Sequence, residues 1–209
     1  MTPLLPKGPR VPRILYLLLA SLPLLAQTPD AAFFKGDPKA IIQAAAEKAR
    51  SLRPNDRDTL SVVAQGYLAT GERAKAESLF LSMERRSSSI KTYGLIAKAW
   101  LQAGIKDPVP ALVEKAKATG SRDGDDLAEF AVILVSGGMP KEAGDIMGLA
   151  YTADPKNHDG CLDFARACLR AGRPEDALPW LQRALQAKPQ DADIWRDVAM
   201  ALADHGLEH

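Results

Sequence analysis

The sequence predicts an all-α protein, built as a linear array of antiparallel helix pairs. Three observations carry this. Gly71, Gly104, Gly138, Gly172 and Gly206 are spaced 33, 34, 34 and 34 residues apart. Small and large apolar residues recur at fixed distances from each of them. The composition is ordinary for a globular chain, 46% hydrophobic and 25% charged, yet only 6% aromatic, which favours Ala- and Leu-rich helices over aromatic-rich sheets.

The columns read as follows. Seven residues before each glycine stands Ala64, Ala97, Ala131, Ala165 or Ala199. Four before stands Tyr67, Trp100, Leu134, Cys168 or Leu202, and eleven before stands Leu60, Tyr93, Leu127, Cys161 or Trp195. Five after the first four glycines come Ala76, Val109, Ala143 and Ala177; twelve after come Met83, Ala116, Ala150 and Ala184. Offsets of three, four and seven share one helix face, so each unit opens with a helix whose stripe faces inward. Glycine ends that helix, because it takes the left-handed C-cap without a Cβ penalty. A second apolar-periodic run follows, as in Ala177-Leu178-Leu181-Ala184-Leu185. Small residues at the crossing let the two axes approach.

Residues 1–26 come first and differ from the rest. They hold five of the 15 prolines and none of the 26 acids. Lys7, Arg10 and Arg13 precede an apolar run from Ile14 to Ala26, and polar Gln27, Thr28 and Asp30 follow. A basic stretch, a short apolar stretch and a small residue form an export signal. An uncleaved anchor is the competing reading, but a spanning helix needs about 20 apolar residues; this run has 13 and contains Pro23. A cytosolic chain is the third. No Cys follows Ala26, which argues against a lipoprotein anchor. Cleavage after Ala26 changes the formal charge from +1 to −2, since three bases and no acids leave.

Residues 27–56 are expected to form an N-terminal cap. Ile41, Ile42, Ala45, Ala46, Ala49 and Leu52 before Pro54 describe a lone second-type helix, with Phe33 and Phe34 as the remnant of its partner. Four repeats follow, at 57–89, 90–123, 124–157 and 158–191. In the last, Pro174 sits at the first turn of the second helix, where its missing N–H costs nothing, and Pro155 and Pro189 stop two of the second helices. Val109 between Pro108 and Pro110 predicts a late or shortened second helix. Residues 192–209 are expected to close the array, with Trp195, Val198, Ala199 and Leu202 covering the last unit and Asp193, Arg196, Asp197 and Asp204 facing water.

Period 34, paired helices, small residues at fixed columns and a closing proline resemble the tetratricopeptide repeat family. The stretches that carry the likeness are Cys161-Leu162-Asp163-Phe164-Ala165-Arg166-Ala167-Cys168 and Gly172-Arg173-Pro174-Glu175-Asp176-Ala177 through Pro189. Residues 57–206 are covered. Ser88 and Ser121 stand where the closing proline is expected. The resemblance implies a right-handed superhelical solenoid whose first helices line a concave, partner-binding groove.

Little in the sequence points to catalysis. There is no Gly-rich phosphate loop, no His-Glu-x-x-His and no G-x-S-x-G elbow. His158, His205 and His209 form no metal-ligand pattern, and Asp123-Gly124-Asp125-Asp126 reads as a turn with an acidic helix start. Cys161 and Cys168 lie about 10.5 Å apart along one helix, beyond the roughly 7 Å a disulfide allows, so buried thiols are expected. Near-balanced charge, 27 Lys+Arg against 26 Asp+Glu, argues against nucleic acid. No cofactor is expected.

On the groove, the column six before each glycine holds Gln65, Lys98, Val132 and Arg166. The column three before holds Leu68, Leu101, Val135 and Leu169, with Arg170 adjoining. An apolar column beside polar groups suits an extended or helical peptide; the same column equally suits packing between neighbouring first helices. Asp163 can pair with Arg166. A clamp for a C-terminal carboxylate, which in the resembling family uses Lys and Asn, finds Asp125 with Glu129 and Asp159 with Asp163 instead, and is rejected. The expectation is a non-catalytic protein- or peptide-binding scaffold or assembly factor, periplasmic or secreted, without membrane insertion once the signal is cleaved. The alternatives are an accessory subunit of an envelope enzyme and a self-assembling secreted module.

Overall fold

The computed structural model describes residues 33–205; the export signal, Gly206 and His209 lie outside the described residues. All regular structure among those residues is helical, as expected. Two compact units divide after Met83.

The first unit holds a single 3-10 turn, Phe33–Lys35, then α1 (Pro38–Leu52), α2 (Arg57–Ala69) and most of α3 (Arg73–Arg86). Helix α1 buries Ile41, Ile42, Ala45, Ala46 and Ala49 and packs on α2. Gly66 permits this approach: a Cβ there would stand 3.4 Å from both Ala46 Cβ and Ile42 Cγ2. The expected remnant of a partner for α1 is reduced to the one turn, and Phe34 is exposed. Leu52 is also exposed rather than packed.

The second unit continues with α4 (Ile90–Gln102), α5 (Val109–Ala118), α6 (Gly124–Ser136), α7 (Pro140–Ala153), α8 (His158–Arg170), α9 (Pro174–Ala187) and α10 (Ala192–Ala203). Within pairs, α4 packs on α5, α6 on α7 and α8 on α9; along the stack, α4, α6, α8 and α10 touch in succession. Helix α5 is shortened, ten residues against fourteen in α7 and α9, because Pro108 and Pro110 bracket its start.

One column escaped the sequence reading. Each first helix begins on a side-chain cap: Asp56, Ser89, Asp123, Asn157 and Asp191 accept from backbone N–H groups two or three residues on. Each such cap is worth about 1 kcal/mol. The first helices end as the glycines require. Gly71, Gly104, Gly138 and Gly172 have φ of 84°, 75°, 74° and 70°, and the next residue's N–H returns to the helix, as Met139 N–H donates to Leu134 O at 3.0 Å.

In all four repeats the five inward columns are buried, from Leu60, Ala64 and Tyr67 through Ala177 and Ala184. Cross-links between successive helices add to this. Trp180 of α9 meets Phe164 of α8 edge-on at 5.6 Å and Tyr151 of α7 at 6.0 Å, and the Arg183 guanidinium lies over both Trp180 and Tyr151. Such ring pairs contribute about 0.5–1.5 kcal/mol each beyond burial.

Helix α10 departs from expectation. Val198 is buried, with Ile194 and Ala201, but Trp195 is 53% exposed and Ala199 is exposed. In the pairs α4–α5, α6–α7 and α8–α9 the first helix packs on a second helix, and none follows α10 among the described residues. The residues that pack on α8 and α9 therefore lie on the adjacent arc of the helix.

Two glycines test this packing. A Cβ on Gly160 would stand 2.9 Å from Ala128 Cβ on α6 and 2.8 Å from Asn157 Nδ2, whereas one on Gly144 meets nothing. Gly160→Ala is expected to destabilise by about 1–3 kcal/mol through overpacking. Gly144→Ala is expected to stabilise by about 0.5–1 kcal/mol. Urea denaturation reads both, and a neutral Gly160→Ala would contradict the close α6–α8 approach.

Candidate peptide-binding groove

Along the first helices of the second unit lie two adjoining hollows. One, of about 380 Å³, is bordered by Lys98, Leu101 and Gln102 of α4 and by Glu129, Val132, Ile133 and Ser136 of α6, with Gly137 just beyond it. The other, of about 420 Å³, is bordered by Asp125, Ala128, Glu129 and Val132 of α6 and by Asp159, Gly160, Asp163 and Arg170 of α8. Glu129 and Val132 belong to both, so α6 forms the ridge between them.

The expected groove residues divide three ways. Lys98, Leu101 and Val132 line the hollows and are half-buried, and Arg170 lines the second and is exposed. Val135 and Leu169 are buried and so pack between helices. Leu101 escapes that fate because its neighbour is Gly137, which has no side chain to cover it; a Cβ there would stand 2.5 Å from Leu101 Cδ1. In the first unit, Leu68 is half-buried and Gln65 is buried, its Oε1 without a hydrogen-bond partner among the described residues.

Arg166 is half-buried and already engaged. It meets Asp163 at 3.6 Å, the pair expected from sequence, and also reaches Asp197 of α10 at 3.3 Å. Asp197 in turn meets Arg196 at 3.0 Å, and that hydrogen bond, with the help of Arg166, holds its carboxyl below the usual range.

Asp125, Glu129, Asp159 and Asp163 are the groove residues the sequence reading did not assign. The signal was available, because Asp125 and Asp159, and Glu129 and Asp163, stand 34 residues apart in equivalent columns. Asp125 accepts from Asn157 Nδ2 at 2.7 Å, and Asp159 lies 3.4 Å from the His158 ring. Glu129 has no hydrogen-bond or ion-pair partner among the described residues.

Nothing in the groove is arranged as a nucleophile. Cys161 and Cys168 are buried and unpaired, and burial pushes both thiols up to about 11, leaving almost no thiolate at neutral pH. Among the described residues no group of His, Cys, Asp and Glu could hold a metal ion.

A stack of helix pairs with hollows along its first helices is the architecture of a helical solenoid. Residues 134–201, from the end of α6 to the last turn of α10, match the family model described as Tetratricopeptide repeat. This third of the chain thus resembles that family beyond the pattern of its columns. No curated protein and no solved structure matches the chain.

Proposed function

We propose that the chain is an exported, non-catalytic scaffold that binds a segment of another protein along the groove of α4, α6 and α8. One observation carries the reading. In the four repeats the packing columns are closed, yet Leu101 and Val132 stay partly open in adjoining hollows, edged by charged side chains. A concave apolar strip with polar edges is what an extended or helical segment needs. The match of residues 134–201 to tetratricopeptide repeats supports a protein partner. The composition of residues 1–26 supports export to a periplasm or to the outside, and no described helix is long and apolar enough to cross a membrane.

Selection from a displayed library of random 12-residue peptides tests the groove. Peptides enriched on the wild-type protein are expected to lose at least tenfold in affinity, about 1.4 kcal/mol, when Leu101→Ser is combined with Val132→Ser and helicity is unchanged. Unaltered affinity would contradict the groove. For export, sequencing the mature N-terminus is expected to start at Gln27, and a start at Met1 would contradict it.

A further inference from the structure

The groove is not electrostatically neutral, although the chain nearly is. Its α6–α8 hollow sets four carboxylates, Asp125, Glu129, Asp159 and Asp163, against the one guanidinium of Arg170. Arg166 beside it is shared between Asp163 and Asp197. The carboxylates of Asp125, Glu129 and Asp159 have no Lys or Arg partner among the described residues.

The fold itself does not call for this arrangement. Asp125 and Asp159 lie in the first turns of α6 and α8, where a negative charge is favoured by the helix dipole. Glu129 and Asp163 lie one turn further on, and each stands four residues after the first acid. Like charges at that spacing destabilise a helix, and the disposition is repeated in register on two neighbouring helices. The acids do not converge on a metal site. They form two ladders, each with one rung on each helix, and the apolar strip at Val132 runs beside them.

We propose, resting on the groove reading above, that the groove takes an extended basic peptide, with Lys or Arg side chains on the acid ladders of the α6–α8 hollow and apolar side chains on Val132 and, across the α6 ridge, on Leu101 of the α4–α6 hollow. Spacing follows from geometry. Neighbouring packed helices lie about 8–10 Å apart, and an extended chain in the polyproline II form advances about 3.1 Å per residue with three residues per turn, so cations at every third residue share one face and step from one rung to the next. Acidic segments are repelled from the same surface.

Two fluorescein-labelled 12-residue peptides, identical in their Leu positions and carrying either Lys or Glu at every third residue, test this by fluorescence anisotropy with the whole chain. The Lys peptide is expected to bind, to weaken as salt rises, and to weaken at least tenfold in the variant Glu129→Gln with Asp159→Asn. Both substituted residues are exposed, so the variant keeps its helicity, which circular dichroism verifies. Failure of the Lys peptide to bind, or binding undiminished in the variant, would overturn the proposal. Should both peptides bind equally and both be lost in Leu101→Ser with Val132→Ser, the basic-ligand inference fails while the groove reading stands.

Discussion

Alanine on both helices in three of the four repeats, with Val109 on the second helix of the other, sets the distance within which everything else must fit. Ala64, Ala97, Ala131 and Ala165 are fully buried, as are Ala76, Ala143, Ala177 and Ala184 on the helices that oppose them in their columns. A methyl group on each side lets two backbones approach closely in α6–α7 and α8–α9, and larger buried residues one turn away, such as Leu134 of α6 and Ile146 and Met147 of α7, take up the rest of the core. Interiors packed to that density tolerate neither an added methylene nor a lost one without a cost of the order of 1 kcal/mol or more. Aromatic residues are correspondingly few, and where one is used, as at Trp180, it reaches from its own pair to the pair before it.

The groove is a consequence of that close packing. With α4, α6 and α8 each packed on its second helix, the faces between these successive first helices are left free to vary. There the side chains differ from unit to unit. Val135 shares its surroundings with Phe164, Cys168 and Trp180 and is closed, whereas the equivalent Leu101 faces Gly137 and stays open. Charge can vary at the same positions, because the acids of α6 and α8 stand outside the packed columns. The open hollows and the packed columns thus occupy different arcs of the same helices.

Helix pairing was legible in the sequence because a helix repeats its face every three to four residues, so a buried column shows as a fixed offset from a glycine. Every inward column of the four repeats is recovered on that basis, and the shortened α5 follows from Pro108 and Pro110. Burial within the groove column was not legible, since it depends on what a neighbouring helix presents: Leu101 and Val135 occupy the same offset, yet Leu101 lies against Gly137 and is half-buried while Val135 lies beside Phe164 and Trp180 and is buried. Trp195 misled for a related reason. Its column faces inward only where a second helix exists to receive it. The acid ladders were visible as spacing, but each acid taken alone reads as a solvated face, and the hollow shared by α6 and α8 shows that they border one surface.

An array held together in this way is stabilised neighbour to neighbour, with no single centre. Native-state hydrogen exchange tests that claim most directly within α4 to α10. Amides in α6, α7, α8 and α9, which have packed neighbours on both sides, are expected to show the highest opening free energies, with α10 opening first because its Trp195 and Ala199 are exposed among the described residues. One common opening free energy for all seven helices would contradict it, since it would mean that the pairs share a single indivisible core.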